Sequence, residues 1–194
     1  AEEKGPVCAP DNAGLTLPPG FCAQVVADSV GTARHIAIAP NGDLYVALRD
    51  SNASVVVLRD ADGDGVAEQR EKFGAKGGTG IAFFENHIYF STDTSIVRWP
   101  WTDGPLVPGG AAETIVTELA VQRGHQAKPF TIASDGSLYV TIGAPSNAWP
   151  NGVSNQLRRS SAASAAEPAT VSATSVVPAL SIKRIRITNM LRMP

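Results

Sequence analysis

Apolar positions in this chain fall in short runs separated by polar turns, with little of the three-to-four-residue spacing that marks an amphipathic helix. Three segments share one plan: an apolar run, a polar turn, then a run carrying a tyrosine. They are HIAIAPNGDLYVAL (35–48), GIAFFENHIYFSTDTSIVRW (80–99) and FTIASDGSLYVTIG (130–143). Asn41-Gly42 and Asp135-Gly136 predict two-residue hairpin turns, since both central residues of the favoured turn need positive φ. Glu85-Asn86 fills the same slot more weakly. The turns lie 44 and 50 positions apart, near the repeat length of a propeller blade. Further runs at 55–60 (VVVLRD), 95–101 (SIVRWPW) and 112–119 (AETIVTEL) supply about four strands per repeat. The pattern predicts an all-β chain of four-stranded antiparallel blades, two to three in number. That is fewer than the four a β-propeller needs to close, so the propeller is incomplete.

Composition divides the chain. Residues 1–150 hold 10 Lys/Arg against 17 Asp/Glu and residues 151–194 hold 6 against 1, so the character changes near Asn151. We therefore expect an N-terminal segment over 1–32, a partial propeller over 33–150, and a low-complexity tail over 151–194 rich in Ser, Ala, Thr and Val. The tail reads either as a disordered basic extension or as sequence foreign to the body, such as an out-of-frame stretch. Cys8 and Cys22 bracket a segment rich in Pro and Gly, which a disulfide would tie down; two buried free thiols are the alternative. With Ala1 first and no Met before Met190, the expectation is a mature exported protein, leader removed, in a periplasm or outside the cell. No stretch approaches the ~20 apolar residues of a membrane span.

Candidate chemistry is sparse. DADGDGVAEQRE (60–71) matches a calcium-loop pattern, with Asp60, Asp62, Asp64 and Glu71 as ligands and Gly65 at the sharp turn. The competing reading is a hairpin turn in which the Asp side chains accept backbone N–H bonds. GAKGGTG (74–80) has no Gly-Lys-Ser/Thr and no helix after it, so a flexible approach to the next strand is expected rather than a phosphate loop. Three histidines occur: His35 and His125 near strand entrances, and His87 beside a turn. No zinc-hydrolase, serine-hydrolase or thiol-redox motif is present, and the acidic body disfavours nucleic acid.

The segments CAPDNAGLTLPPGFCAQVVADSVGTARHIAIAPNGDLYVAL, GGTGIAFFENHIYF and GHQAKPFTIASDGSLYVTIG resemble the glucose/sorbosone dehydrogenase family, and its sorbosone-type branch most. The resemblance covers about residues 8–149 and implies a six-bladed β-propeller whose central funnel holds pyrroloquinoline quinone (PQQ) with calcium. It implies oxidation of a sugar or aldose aldehyde, with electrons passing on to a separate acceptor. His125 matches the histidine that takes the hydroxyl proton as hydride leaves the adjacent carbon, and Gln126 matches the following glutamine, a candidate cofactor contact. Gly124 stands where the family's acidic partner would be, and Gly78 roughly where a glutamine touches the cofactor. Side chains that grip the PQQ carboxylates come from later blades in the family. Arg158, Arg159, Lys183, Arg184 and Arg186 of the tail are expected to have no strand framework that could substitute. The chain is thus expected to be the N-terminal part of such an enzyme and inactive alone. The alternative is a secreted propeller module that binds carbohydrate or protein without redox chemistry, for which Trp99, Trp101 and Trp149 are candidate contacts.

Overall fold

The computed structural model describes residues 8–50, 52–121 and 124–143, and the backbone of 181–186. A short 3-10 turn, Asn12–Gly14, precedes the strands. β1 (Ala33–Ile38), β2 (Leu44–Leu48), β3 (Val55–Arg59) and β4 (Gln69–Phe73) form one antiparallel meander. β5 (Gly78–Phe84), β6 (His87–Thr92), β7 (Ile96–Pro100) and β8 (Glu113–Val116) form a second. A third sheet has β9 (Phe130–Ile132) and β10 (Ser137–Ile142) joined by β11 (Ser181–Arg186), in the order β11-β10-β9. The repeats are thus two complete four-stranded blades and the start of a third.

Strand character follows from alternation. Tyr45, Ala47, Val55 and Val57 turn one face of the first sheet onto Ile81, Ile88, Phe90, Trp99 and Trp101 of the second blade. Tyr89, Ile96 and Val116 turn the opposite face of the second sheet onto Leu138, Val140 and Ile142 of the third. Each blade buries its flat apolar face only against a neighbour, which is why the unit repeats. The outer face of the first sheet, with Val46, Leu48, Val56 and Leu58, is covered in part by Ala27 and Val30 of the N-terminal segment. Cys8 and Cys22 are disulfide-bonded, with Cα atoms 5.6 Å apart, and Ala9 N–H bonds the Ala23 carbonyl at 2.8 Å beside them.

Three details depart from the sequence reading. At Asn41-Gly42 and Asp135-Gly136 only the glycines have positive φ (93° and 77°), and Ala39 and Ala133 close the turns with Asp43 and Ser137. These are three-residue loops with a left-handed glycine, which match strand twist as well as the two-residue turn does. The glycines of 77–80 are not a flexible approach, since Gly78 and Gly80 lie in β5. A Cβ at Gly78 would sit 1.9 Å from the Ser91 carbonyl and one at Gly80 2.6 Å from the Phe130 ring, so the glycines let neighbouring strands close in. Lys183, Arg184 and Arg186 do lie on a strand: β11 pairs along β10 from Ser137↔Arg186 to Ile142↔Ser181. Arg158, Arg159 and Trp149 lie outside the described residues.

Candidate active site

β1, β5 and β9 are the first strands of their sheets and pack side by side. At one end of this row lies a cavity of about 510 Å³, walled by Arg34 of β1, Arg49 after β2, Thr79 of β5, the 124–127 segment, Pro129, and Thr141 and Gly143 at the end of β10. His125 and Gln126, expected from the sequence, therefore meet residues from all three blades.

His125 is half-buried and packs on Gly143, where a Cβ would come within 2.5 Å of the histidine's own Cβ. Only glycine admits the imidazole there. The Gln126 side-chain oxygen accepts a hydrogen bond from Arg49 Nη2, and the same nitrogen lies 3.5 Å from Asp93 Oδ2. Beneath them Lys128 is fully buried. Its ammonium donates to the Gln126 carbonyl at 2.9 Å and the His125 carbonyl at 3.4 Å, and burial pushes its pKa below the ordinary lysine value. The Lys128 carbonyl accepts from Ser91 Oγ at 2.6 Å, and Ser91 Oγ accepts from Gly80 N at 2.8 Å. The segment carrying His125 is thus fastened to β5 and β6. Thr79 is buried, and its hydroxyl has no hydrogen-bond partner among the described residues. Two guanidinium groups and this hydroxyl are the kind of wall that one edge of a flat polycarboxylate such as PQQ requires, so the residues present fit part of that group.

The acidic loop lies elsewhere, between β3 and β4. Asp60, Asp62, Asp64 and Glu68 each bring a carboxylate oxygen within 4.8 Å of the others. Glu71, the expected fourth ligand, instead sits within β4 opposite Val57. A helix would carry position 12 of the loop pattern back to the ion, whereas an extended strand rises about 3.3 Å per residue and carries it away. Glu68, at the loop's end, takes that place. The carboxylates also order the loop: Asp60 accepts from Gly63 and Gly65 N–H, both at 2.7 Å, Asp64 from Val66 at 2.8 Å, and Glu68 from Ala61 at 2.7 Å. Each oxygen has a further lone pair, so turn formation and cation binding are compatible.

The family model described as TrAA12-like matches residues 15–164. This chain belongs to the TrAA12-like family. It is a family of PQQ-dependent oxidoreductases, and its match runs past Asn151, into the segment whose composition differs. No curated protein matches the chain. Among solved structures, the calcium form of the Trichoderma reesei family AA12 carbohydrate-active enzyme is similar, with 19% identity and a TM-score of 0.58 over 75% of this chain and 36% of that one. The holo PQQ domain of pyranose dehydrogenase from Coprinopsis cinerea is similar with 17% identity and a TM-score of 0.54, over 63% of this chain and 30% of that one. At such identities the likeness speaks to the fold, a β-propeller; the chain spans about a third of the length of either structure.

Within this TrAA12-like fold the other candidates take structural positions. Trp99 and Trp101 are packed in the core between the first two blades and present no exposed binding face. Tyr45 Oη accepts from Trp101 Nε1 at 3.1 Å and donates to the Leu106 carbonyl at 3.1 Å. His35 is exposed on β1. His87 is half-buried with Nδ1 unpartnered among the described residues, and burial, with Arg98 nearby, pulls its pKa below the ordinary value. The sequence reading missed Arg34, Arg49 and Thr79 as cavity residues, and Lys128 buried beneath them. They form no motif, and only their placement beside strand ends could have marked them.

Proposed function

We propose that this chain is the N-terminal part of a PQQ-dependent dehydrogenase of sugars or aldose aldehydes, and that the cavity is its share of the active site. The observation carrying this reading is that His125 and Gln126 lie with two arginines where the innermost strands of three blades meet. Bound PQQ would supply a two-electron acceptor. Arg34 and Arg49 would hold it from this side. His125 is the general base, taking the proton of the sugar hydroxyl at an imidazole nitrogen. Gly124 supplies no acid beside the ring; packing on Gly143 and the backbone clamp of Lys128 help to position it. Gln126, held by Arg49, is a positioned amide for the cofactor or the sugar. A family of six-bladed enzymes needs residues from later blades, and the chain alone is inactive.

Asp60, Asp62 and Asp64, joined by Glu68, would hold a calcium ion with a structural role, since hard oxygen donors suit that cation. The disulfide fits an oxidising compartment, a periplasm or the cell exterior. Electrons leave to a separate acceptor.

The test is equilibrium dialysis of PQQ, with calcium, against the purified chain, followed by dye reduction with several sugars. Saturable quinone uptake that His125→Ala or Gln126→Ala weakens, without turnover, is expected. Uptake no greater than by an unrelated acidic protein would overturn the site. Turnover by the chain alone would overturn its incompleteness.

A further inference from the structure

We infer that the open faces of the first and third sheets form an interface between two copies of this chain, which together close one propeller ring. The inference does not rest on the dehydrogenase reading. In the blade repeat, Ile36 and Ile38 of β1 hold the places of Ile81 and Phe83 in β5 and of Phe130 and Ile132 in β9. Each pair stands opposite the equivalent residues of the following strand: Val46 and Leu44, Phe90 and Ile88, Val140 and Leu138. The β5 pair packs into the core shared with the first sheet, the Phe83 ring lying 5.0 Å from that of Tyr45, and the β9 pair packs into the core shared with the second. Among the described residues no sheet precedes Ile36 and Ile38, which are 65% and 67% exposed. They are the only large apolar side chains on a strand that are exposed among those residues. The N-terminal segment covers Val46 and Val56 of the same face and leaves the two isoleucines bare.

The other end of the row carries the complementary face. Tyr45, Tyr89 and Tyr139 share one position of the repeat. Tyr45 is wholly buried where the first sheet meets the second, and Tyr89 where the second meets the third. Tyr139 points from β10 to the side away from Leu138 and Val140 and is only half-buried, with exposed Thr131 opposite it. Each chain thus has, at one end, the kind of face that receives a tyrosine face and, at the other, a tyrosine face with no sheet upon it among the described residues. The proposed contact continues the blade-on-blade packing already made twice within the chain. Matching halves at opposite ends of one molecule give head-to-tail contacts, which form a ring when the rotation closes and an open filament when it does not. The number of sheets sets the number of copies. Two copies bring six sheets, within the range of about four to eight that close a propeller; one copy brings too few and three bring too many. A second copy repeats the cavity wall already present and adds none of the residues of later blades, so the ring closes without becoming active.

Sedimentation velocity of the full chain over a dilution series at micromolar concentration tests the ring. One species of twice the 20.2 kDa mass of the chain is expected. The double variant Ile36→Lys/Ile38→Lys and, separately, Thr131→Lys are expected to be monomers, their association weakened about a hundredfold or more, because every contact in the ring uses both faces and a lysine ammonium buried there is unpaired. Ile36→Val/Ile38→Val keeps the dimer. Ile36, Ile38 and Thr131 are exposed in the single chain, so the variants are expected to fold, which the fluorescence of Trp99 and Trp101 in the inter-blade core checks. A monomeric wild type would overturn the inference and leave both faces to sheets outside this chain. So would a dimer that Ile36→Lys/Ile38→Lys breaks and Thr131→Lys spares, since it would pair first sheets alone. Species that keep growing as concentration rises would show a filament in place of a ring, and would overturn closure. None of these readouts involves PQQ, so the dehydrogenase reading stands or falls separately.

Discussion

Asp43 tests how the first two blades are locked together. It is 4% exposed, and its carboxylate accepts from Arg59 Nε at 2.8 Å and Nη2 at 2.6 Å. Asn41 Nδ2 donates to Asp43 at 3.0 Å and to Asp103 at 2.9 Å, tying the first hairpin to the β7–β8 connection. Asp43→Asn keeps the shape, removes the charge, and leaves Arg59 without its partner. Breaking a buried ion pair by removing one side costs about 3–5 kcal/mol. The Arg59 side chain is 24% exposed, so water recovers part of that, and a loss of ~2–3 kcal/mol is the expected figure. With a urea slope of ~1–3 kcal/mol/M, the midpoint should fall by about 1–2 M. Tryptophan fluorescence reports it, because Trp101 lies in the same inter-blade core.

The pH dependence has a definite sign. The hydrogen bonds from Arg59, above all, hold the Asp43 pKa below its ordinary value of 3.8. The pair's contribution is therefore fully present above 3.8 and is lost as pH falls below that value through the folded-state pKa. Wild type and Asp43→Asn should differ most near neutrality and converge in acid, where wild-type Asp43 is itself protonated. A midpoint shift under about 0.3 M at neutral pH, less than the smallest effect a buried pair should give, would refute the argument. So would a gap that persists unchanged into acid.

Gly143→Ala places a Cβ 2.5 Å from that of His125, and so should cost ~1–3 kcal/mol of overpacking in urea melts and displace the imidazole; unaltered His125 ring resonances would show that the contact does not set its position. Calcium at about a hundred times its dissociation constant should stabilise the chain by ~2.7 kcal/mol, and Asp60→Asn should abolish this. A midpoint indifferent to both calcium and chelator would leave the loop as a plain turn.

Much of the architecture was legible before any coordinates. Alternation in LYVAL and HIYFST, punctuated by Asn-Gly and Asp-Gly, is a local property: adjacent side chains of a strand point to opposite faces whatever surrounds them. Cys8 and Cys22 were legible for a similar reason, since a segment with little structure of its own gains most from a cross-link. Glu71 was misplaced because the loop pattern assumes an exiting helix, and the chain leaves as a strand. The turns around Gly42 and Gly136 were assigned one residue too short, because two loop lengths serve the same hairpin twist.

By itself, then, the sequence determined strands, turns, their blade-length repeat and a histidine-glutamine pair at a strand entrance. Tertiary structure alone decided what that pair faces. Arg34, Arg49, Thr79 and Gly143 lie apart from that pair along the chain, and each is unremarkable in its own segment. They meet because flat apolar sheets can be covered only by stacking on one another, which brings β1, β5 and β9 side by side with their ends around one cavity. No local pattern encodes that convergence, since it depends on how blades pack rather than on how any one of them forms.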